Sequence, residues 1–167
     1  MIVLGVDPGL AATGYGVVDE SDEGELNLVS YGVIKTASDL SIPERLRIIY
    51  KDLTDLTLLH KPDSSAVEKL FFQRNIRTAM SVGQARGVAI LALANLNLGV
   101  YEYTPLEIKQ AVTGYGNAEK NQVQMMVKTL LNLRQHPKPD DAADALAVAI
   151  CHIHSINTKQ IYLAKKE

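Results

Sequence analysis

Hydrophobic and polar positions change their rhythm several times along this chain. Residues 2–6, Ile-Val-Leu-Gly-Val, form an unbroken apolar run, the pattern of a strand buried on both faces. Pro8-Gly9 marks a sharp turn, and residues 13–18 read as a second strand. A polar stretch, 19–24, leads to residues 26–36, which alternate loosely through Leu28, Tyr31 and Val33 as a third strand. Three strands joined by short links predict an antiparallel meander.

The period then becomes helical. Ser41-Ile-Pro43-Glu44 is a capping box with proline in the first turn. Leu46, Ile49, Leu53 and Leu56 supply the apolar stripe that follows, and Lys61-Pro-Asp63 ends it. A short strand over 65–68 and a long helix over 76–96 come next. A fifth strand covers 100–103. Thr104-Pro105-Leu-Glu107 is a second capping box, opening a short helix. The glycine-rich segment 113–117 leads to a helix over 118–133. Pro137-Lys-Pro139 breaks the chain before a last helix over 141–155. The order βββαβαβ, then helices, predicts an α/β protein: a mixed five-stranded sheet flanked by helices on both faces. Without a linker or repeat, residues 1–167 are expected to form one domain, the last ten or so a basic tail with Lys165-Lys166.

Composition narrows the setting. No apolar stretch reaches the roughly 18 residues of a membrane span, and no secretory leader is evident, so a cytoplasmic protein with no membrane partner is expected. The single cysteine, Cys151, lies in an apolar run and reads as a buried structural thiol. His152 and His154 read as late-helix surface histidines, with no second cluster to complete a zinc site. Net charge is −2, but unevenly spread. Residues 1–67 hold 5 Lys/Arg against 11 Asp/Glu, and residues 68–138 hold 9 against 4. That basic middle is either a nucleic-acid footprint or a set of solvated helix faces.

The candidate chemistry lies in the acids. Asp7 ends the first buried strand, where an unpaired charge costs about 3–5 kcal/mol. Two readings fit it there: a turn-capping aspartate or a metal ligand. Glu68 ends the fourth strand. Asp140 follows Pro139 and is expected to cap the last helix, leaving Asp141 and Asp144 to project together one turn apart. Taken alone, that pair could equally be two solvated acids favoured by the helix dipole. Together Asp7, Glu68, Asp141 and Asp144 suggest oxygen-only ligation suited to Mg²⁺, with Mn²⁺ as a substitute. Four carboxylates balance two such ions, a site able to hydrolyse a phosphodiester.

Five blocks in order carry a specific resemblance. They are Gly5-Val-Asp7-Pro-Gly9 with Thr13-Gly14-Tyr-Gly16; Gly83-Gln-Ala-Arg-Gly87; Tyr103-Thr-Pro105 with Lys109; Val112-Thr-Gly114 with Gly116-Asn-Ala-Glu-Lys120; and Asp141-Ala-Ala-Asp144-Ala-Leu-Ala. The chain resembles the RuvC family, bacterial Holliday-junction resolvases of the RNase H-like nuclease superfamily. That resemblance implies Asp7, Glu68, Asp141 and Asp144 as the metal-binding catalytic acids. It implies a Mg²⁺-dependent endonuclease acting in DNA recombination and repair, a homodimer nicking two symmetric strands of a four-way junction. RuvA and RuvB branch-migration proteins are the partners it implies. Lys109 and Lys120 match basic positions used at the active site and on the DNA backbone. Phe71 and Phe72 precede Arg74 and Arg77, and aromatics beside arginines suit an unpaired base and its phosphates; family position favours Phe71 for stacking. Gly83 and Gly87, one helical turn apart, permit close approach of the sheet beneath or of a second subunit. Rival readings are an actin-like nucleotide-binding lobe, a catalytically silent junction-binding module, and a YqgF-like nuclease acting on RNA.

Overall fold

The computed structural model describes residues 1–69 and 76–164, without the side chains of 76–78 and 160–164. Its elements are β1 (Ile2–Asp7), β2 (Ala12–Glu20), β3 (Leu26–Lys35), α1 (Ile42–His60), β4 (Ser64–Glu68), α2 (Ile76–Ala94), β5 (Val100–Tyr103), α3 (Pro105–Thr113), α4 (Lys120–Leu130) and α5 (Asp140–Ala164). The sheet runs β3-β2-β1-β4-β5. The first three strands form the antiparallel meander, and β4 and β5 add in parallel through helical crossovers. The expected α/β architecture is therefore present.

Side-chain alternation sorts the strands into two faces. Val3 of β1, Val18 of β2 and Ala66 of β4 pack with α3, α4 and α5. Leu4, Val6, Val17 and Val67 pack with α1 and α2 on the other face. The α1 start carries the expected capping box, where Glu44 accepts from the Ser41 backbone N–H at 2.9 Å. Lys61 closes it in a left-handed conformation. Thr104 and Glu107 form the second box at α3, with the Glu107 N–H donating to Thr104 Oγ1 at 3.2 Å.

Helices α4 and α5 differ from expectation at their ends. Helix α4 is shorter at both ends, because Gly116-Asn-Ala-Glu119 remains outside it and Glu119 takes the cap position. Helix α5 runs on to Ala164 rather than ending near Ser155, since no Gly or Pro follows to stop it. Asp140 does not cap that helix. It is the first helical residue, and the Pro139 carbonyl accepts from the Ala142 and Ala143 N–H groups.

Candidate active site

The parity that separates the two faces also places the acids. On β1, Val3 and Gly5 face α5, so Asp7 does too. On β4, Ser64 and Ala66 face α5, so Glu68 follows. Strands β1 and β4 are parallel, with Val6 opposite Val67, which sets Asp7 beside Glu68 at the same sheet end. The two carboxyls are therefore neighbours on one face of the sheet.

Helix α5 brings the other two acids by lying directly on the sheet. A Cβ on Gly5 would sit 2.2 Å from the Ala145 carbonyl oxygen, and one on Gly14 1.9 Å from that of Asp141. On Gly16 it would collide with Leu146 at 2.7 Å. Three strand glycines thus remove the side chains that would hold the helix off. Gly14 pairs with Asp7, so the start of α5 rests one strand away from it. The turn after β1 is tied down as well. Buried Thr13 donates its hydroxyl to the Gly9 carbonyl at 2.7 Å, and Thr36 donates to the Leu10 carbonyl at 2.5 Å.

The four acids feel one another. Burial first, then the charges of Glu68, Asp144 and Asp141, hold the Asp7 carboxyl well above the usual carboxylate range. Burial and the Asp144 charge raise Glu68, and burial raises Asp144 against the opposing pull of Lys120. Asp7 is thus not a simple turn cap. Among the described residues no three His, Cys, Asp or Glu side chains already close into a metal cage. The donor set nevertheless fits a hard divalent cation. It is all carboxylate, half-buried and mutually repulsive, a conflict that positive charge relieves.

Two lysines attend the acids. Lys120 lies 3.0 Å from Asp144 Oδ2 and 3.2 Å from Asp140 Oδ2. A lysine in the first helical turn is disfavoured by the helix dipole, and here carboxylates of α5 compensate it. Lys109 lines a cleft of about 280 Å³ with Lys120, Glu68 and Asp144, floored in part by Ile108 and Val123. Phe71, Phe72 and Arg74 lie outside the described residues; Arg77 is on α2, its side chain undescribed.

Residues without a sequence-assigned role also shape the site. Arg86 donates from Nε to the Glu68 carbonyl at 3.3 Å and pairs with Glu102 of β5. It fixes the end of β4, and its place in the Gly83-Gln-Ala-Arg-Gly87 block was the available signal. His152 is not a surface histidine: it is fully buried. Its Nε2 lies 2.9 Å from Ser64 Oγ, its Nδ1 2.8 Å from the Tyr103 hydroxyl, and its ring 4.4 Å from that of Tyr101. Burial, and secondarily Lys159, push its pKa down to about 4, so it serves as a neutral hydrogen-bonding link between α5, β4 and β5. His154 is partly buried against the Ala111 carbonyl at 2.9 Å. Cys151 is buried as expected, its thiol pushed up to about 12 by desolvation.

A sheet of this topology, with acids gathered at the ends of its two central strands and at the helix laid across them, defines an RNase H-like nuclease. The sequence signature described as crossover junction endodeoxyribonuclease RuvC matches residues 3–152. A crossover junction endodeoxyribonuclease RuvC from Alkaliphilus oremlandii is 52% identical over 165 residues, covering 99% of this chain and all of the relative. The Thermus thermophilus RuvC structure superposes with a TM-score of 0.89 at 35% identity, covering 95% of this chain and 97% of that one. A structure of T. thermophilus RuvC in complex with Holliday junction substrate gives 0.90 at 34% identity, covering 95% and 96%. The chain belongs to the RuvC family of crossover junction endodeoxyribonucleases.

Proposed function

We propose that this chain resolves four-way DNA junctions by paired symmetric nicks, with Asp7, Glu68, Asp141 and Asp144 as its catalytic, metal-holding acids. The observation that carries the assignment is the adjacent Asp7–Glu68 pair facing the start of α5, its carboxyls raised by burial and by the acids of α5. Mg²⁺, or Mn²⁺ in its place, held there as two ions, would activate water and stabilise the leaving oxygen. The chain's own part is to hold the acids rigidly, through the glycine-docked helix and the Arg86 tie at β4. A bound cation would favour the ionised form of the Asp7 and Glu68 carboxyls, which their burial and mutual charge disfavour. Lys109 and Lys120, which line the cleft with Glu68 and Asp144, would contact the phosphate backbone. Phe71, Phe72, Arg74 and Arg77, from the segment after β4, engage the junction centre.

A homodimer fits the outer face of α2. A Cβ on Gly83 or Gly87 would meet nothing within 4 Å, so these glycines do not serve the sheet beneath. Met80 and Leu91 are 74% and 52% exposed beside them, while Ala85, Ala89 and Leu93 fill the inner face. A second copy covering this strip gives two sites for two strands. RuvA and RuvB belong to the same reading as partners, as do cytoplasmic residence and a single folded domain. No described helix is long and apolar enough to cross a membrane.

The test is cleavage of a synthetic four-way junction with Mg²⁺, beside linear duplex and RNA of the same sequence. Paired nicks in the junction alone, with ligatable 5′-phosphate ends, are expected. Equal cutting of duplex would end structure-selective resolution, and preferred cutting of RNA would favour the YqgF-like reading. Asp7→Asn should cut about 10³-fold more slowly and keep junction binding, and Asp141→Asn should be far more damaging than Asp140→Asn.

A further inference from the structure

The lysines at the acids cover only one side of them. Lys109 belongs to α3 and Lys120 opens α4, and α3 follows β5, an edge of the sheet. A strand crossing the acids must also leave over the opposite side, toward β2 and β3. The residues there have no role in the chemistry described so far.

Register shows what that side presents. Val33 of β3 pairs with Gly14, whose Cβ position points at Asp141, so Val33 faces α5. Tyr31 pairs with Gly16, which points at Leu146, and faces the same way. Lys35, paired with Ala12, continues this face toward the end that carries Asp7. Strand spacing puts Val33 about 10 Å from Asp7 across β2. Over this edge lies the connection between α4 and α5. Arg134, Gln135, His136 and Lys138 line a groove of about 420 Å³ with Tyr31 and Leu133. Buried Pro137 and Leu131 anchor the connection from below, so its cations stand on a fixed base.

These cations are unspent. Lys35, Arg134 and Lys138 are exposed, and none makes a salt bridge or hydrogen bond among the described residues. Lys138 lies close enough to Asp140 to lower its pKa, but Asp140 is already held by Lys120 and Gln124. An acidic segment, Asp19-Glu-Ser-Asp-Glu-Gly-Glu25, closes the far end of the β2–β3 hairpin and bounds the basic strip. The outer face of α2 is on the other side of the sheet, so a second copy seated there leaves this groove open.

We infer that Lys35, Arg134 and Lys138 form a second phosphate-binding track, which grips the DNA strand where it leaves the acids over the β3 edge. The track rests on the junction-cutting function proposed above. It lets the cut strand be held on both sides of the scissile phosphate, so that the phosphate is fixed between two anchors rather than tethered by one.

Equilibrium binding of the full-length protein to a four-way junction, measured by fluorescence anisotropy from 50 to 300 mM salt in Ca²⁺, tests it. Each phosphate contact contributes about 0.9 to the slope of log affinity against log salt. Lys35→Ala, Arg134→Ala and Lys138→Ala should each flatten the slope by about 0.9, and the triple variant by about 2.7. Lys51→Ala, an exposed charge on α1 across the sheet, should leave it unchanged. Thermal melting checks that each variant is folded. If the wild type binds the junction no better than duplex, the proposed function fails. If the wild type prefers the junction but the triple variant keeps its full slope and affinity, the track is overturned and the function stands.

Discussion

Two sets of glycines in this protein do opposite things. Gly5, Gly14 and Gly16 lie in the sheet, and a methyl group on any of them would overlap α5. Gly83 and Gly87 lie on α2, and a methyl group there would meet open space. The first set is defined by what already touches it. The second is an energetic cost to the isolated chain, about 1 kcal/mol per glycine in a helix interior relative to alanine. Absence of a side chain therefore builds the site on one face of the sheet and leaves a free surface on the other.

The contrast is sharpest if the sheet glycines are filled. Gly14→Ala puts a Cβ against the Asp141 carbonyl and must lift the start of α5. We expect a loss of about 3 kcal/mol or more in urea unfolding, with cutting lost as well. A variant of full stability would show that the helix can move without cost. Asp7→Asn separates geometry from chemistry on the same face. Cutting should fall about 10³-fold, the equivalent of several kcal/mol of electrostatic assistance, while metal-free stability rises because the repulsion is relieved.

That repulsion also predicts a pH dependence. The folded-state pKa of Asp7 is raised, so between its unfolded value of 3.8 and the raised value the native state binds more protons than the unfolded state. Stability in EDTA should therefore fall as pH rises through that window, and Mg²⁺ should restore it. A melting-temperature profile from pH 4 to 8 that is the same in Asp7→Asn would refute the assignment to Asp7. The smallest effect belongs to the outer glycines. Gly87→Ala should stabilise the monomer by up to about 1 kcal/mol and weaken self-association seen in sedimentation equilibrium. An unchanged dimer would remove α2 from the interface.

Much of this architecture is legible in the sequence. The unbroken run at residues 2–6 marked a central strand, and the capping boxes marked the starts of α1 and α3. Asp7 and Glu68 could be paired because each ends a strand, but only the parallel register makes them face the same way. The Lys120–Asp144 contact joins residues 24 apart on different helices, so no local pattern announces it. His152 misled because polar neighbours follow it. Its burial depends on Ser64 and Tyr103, which are distant in the chain and satisfy both ring nitrogens. Asp140 misled because its side chain turns to Lys120 and Gln124 across α4 instead of back to its own helix.

The alternation that puts Asp7 and Glu68 on one face has a consequence for how this chain can change length. Strand side chains repeat every two residues, so a one-residue insertion or deletion inside β4 would swing Glu68 to the α1–α2 side while leaving the strand paired. The same change within β1 would turn Asp7 away. Length variation near these strands is thus confined to places that do not transmit a shift, such as the exposed turn at Asp22–Gly24, where a residue gained or lost alters only the hairpin tip.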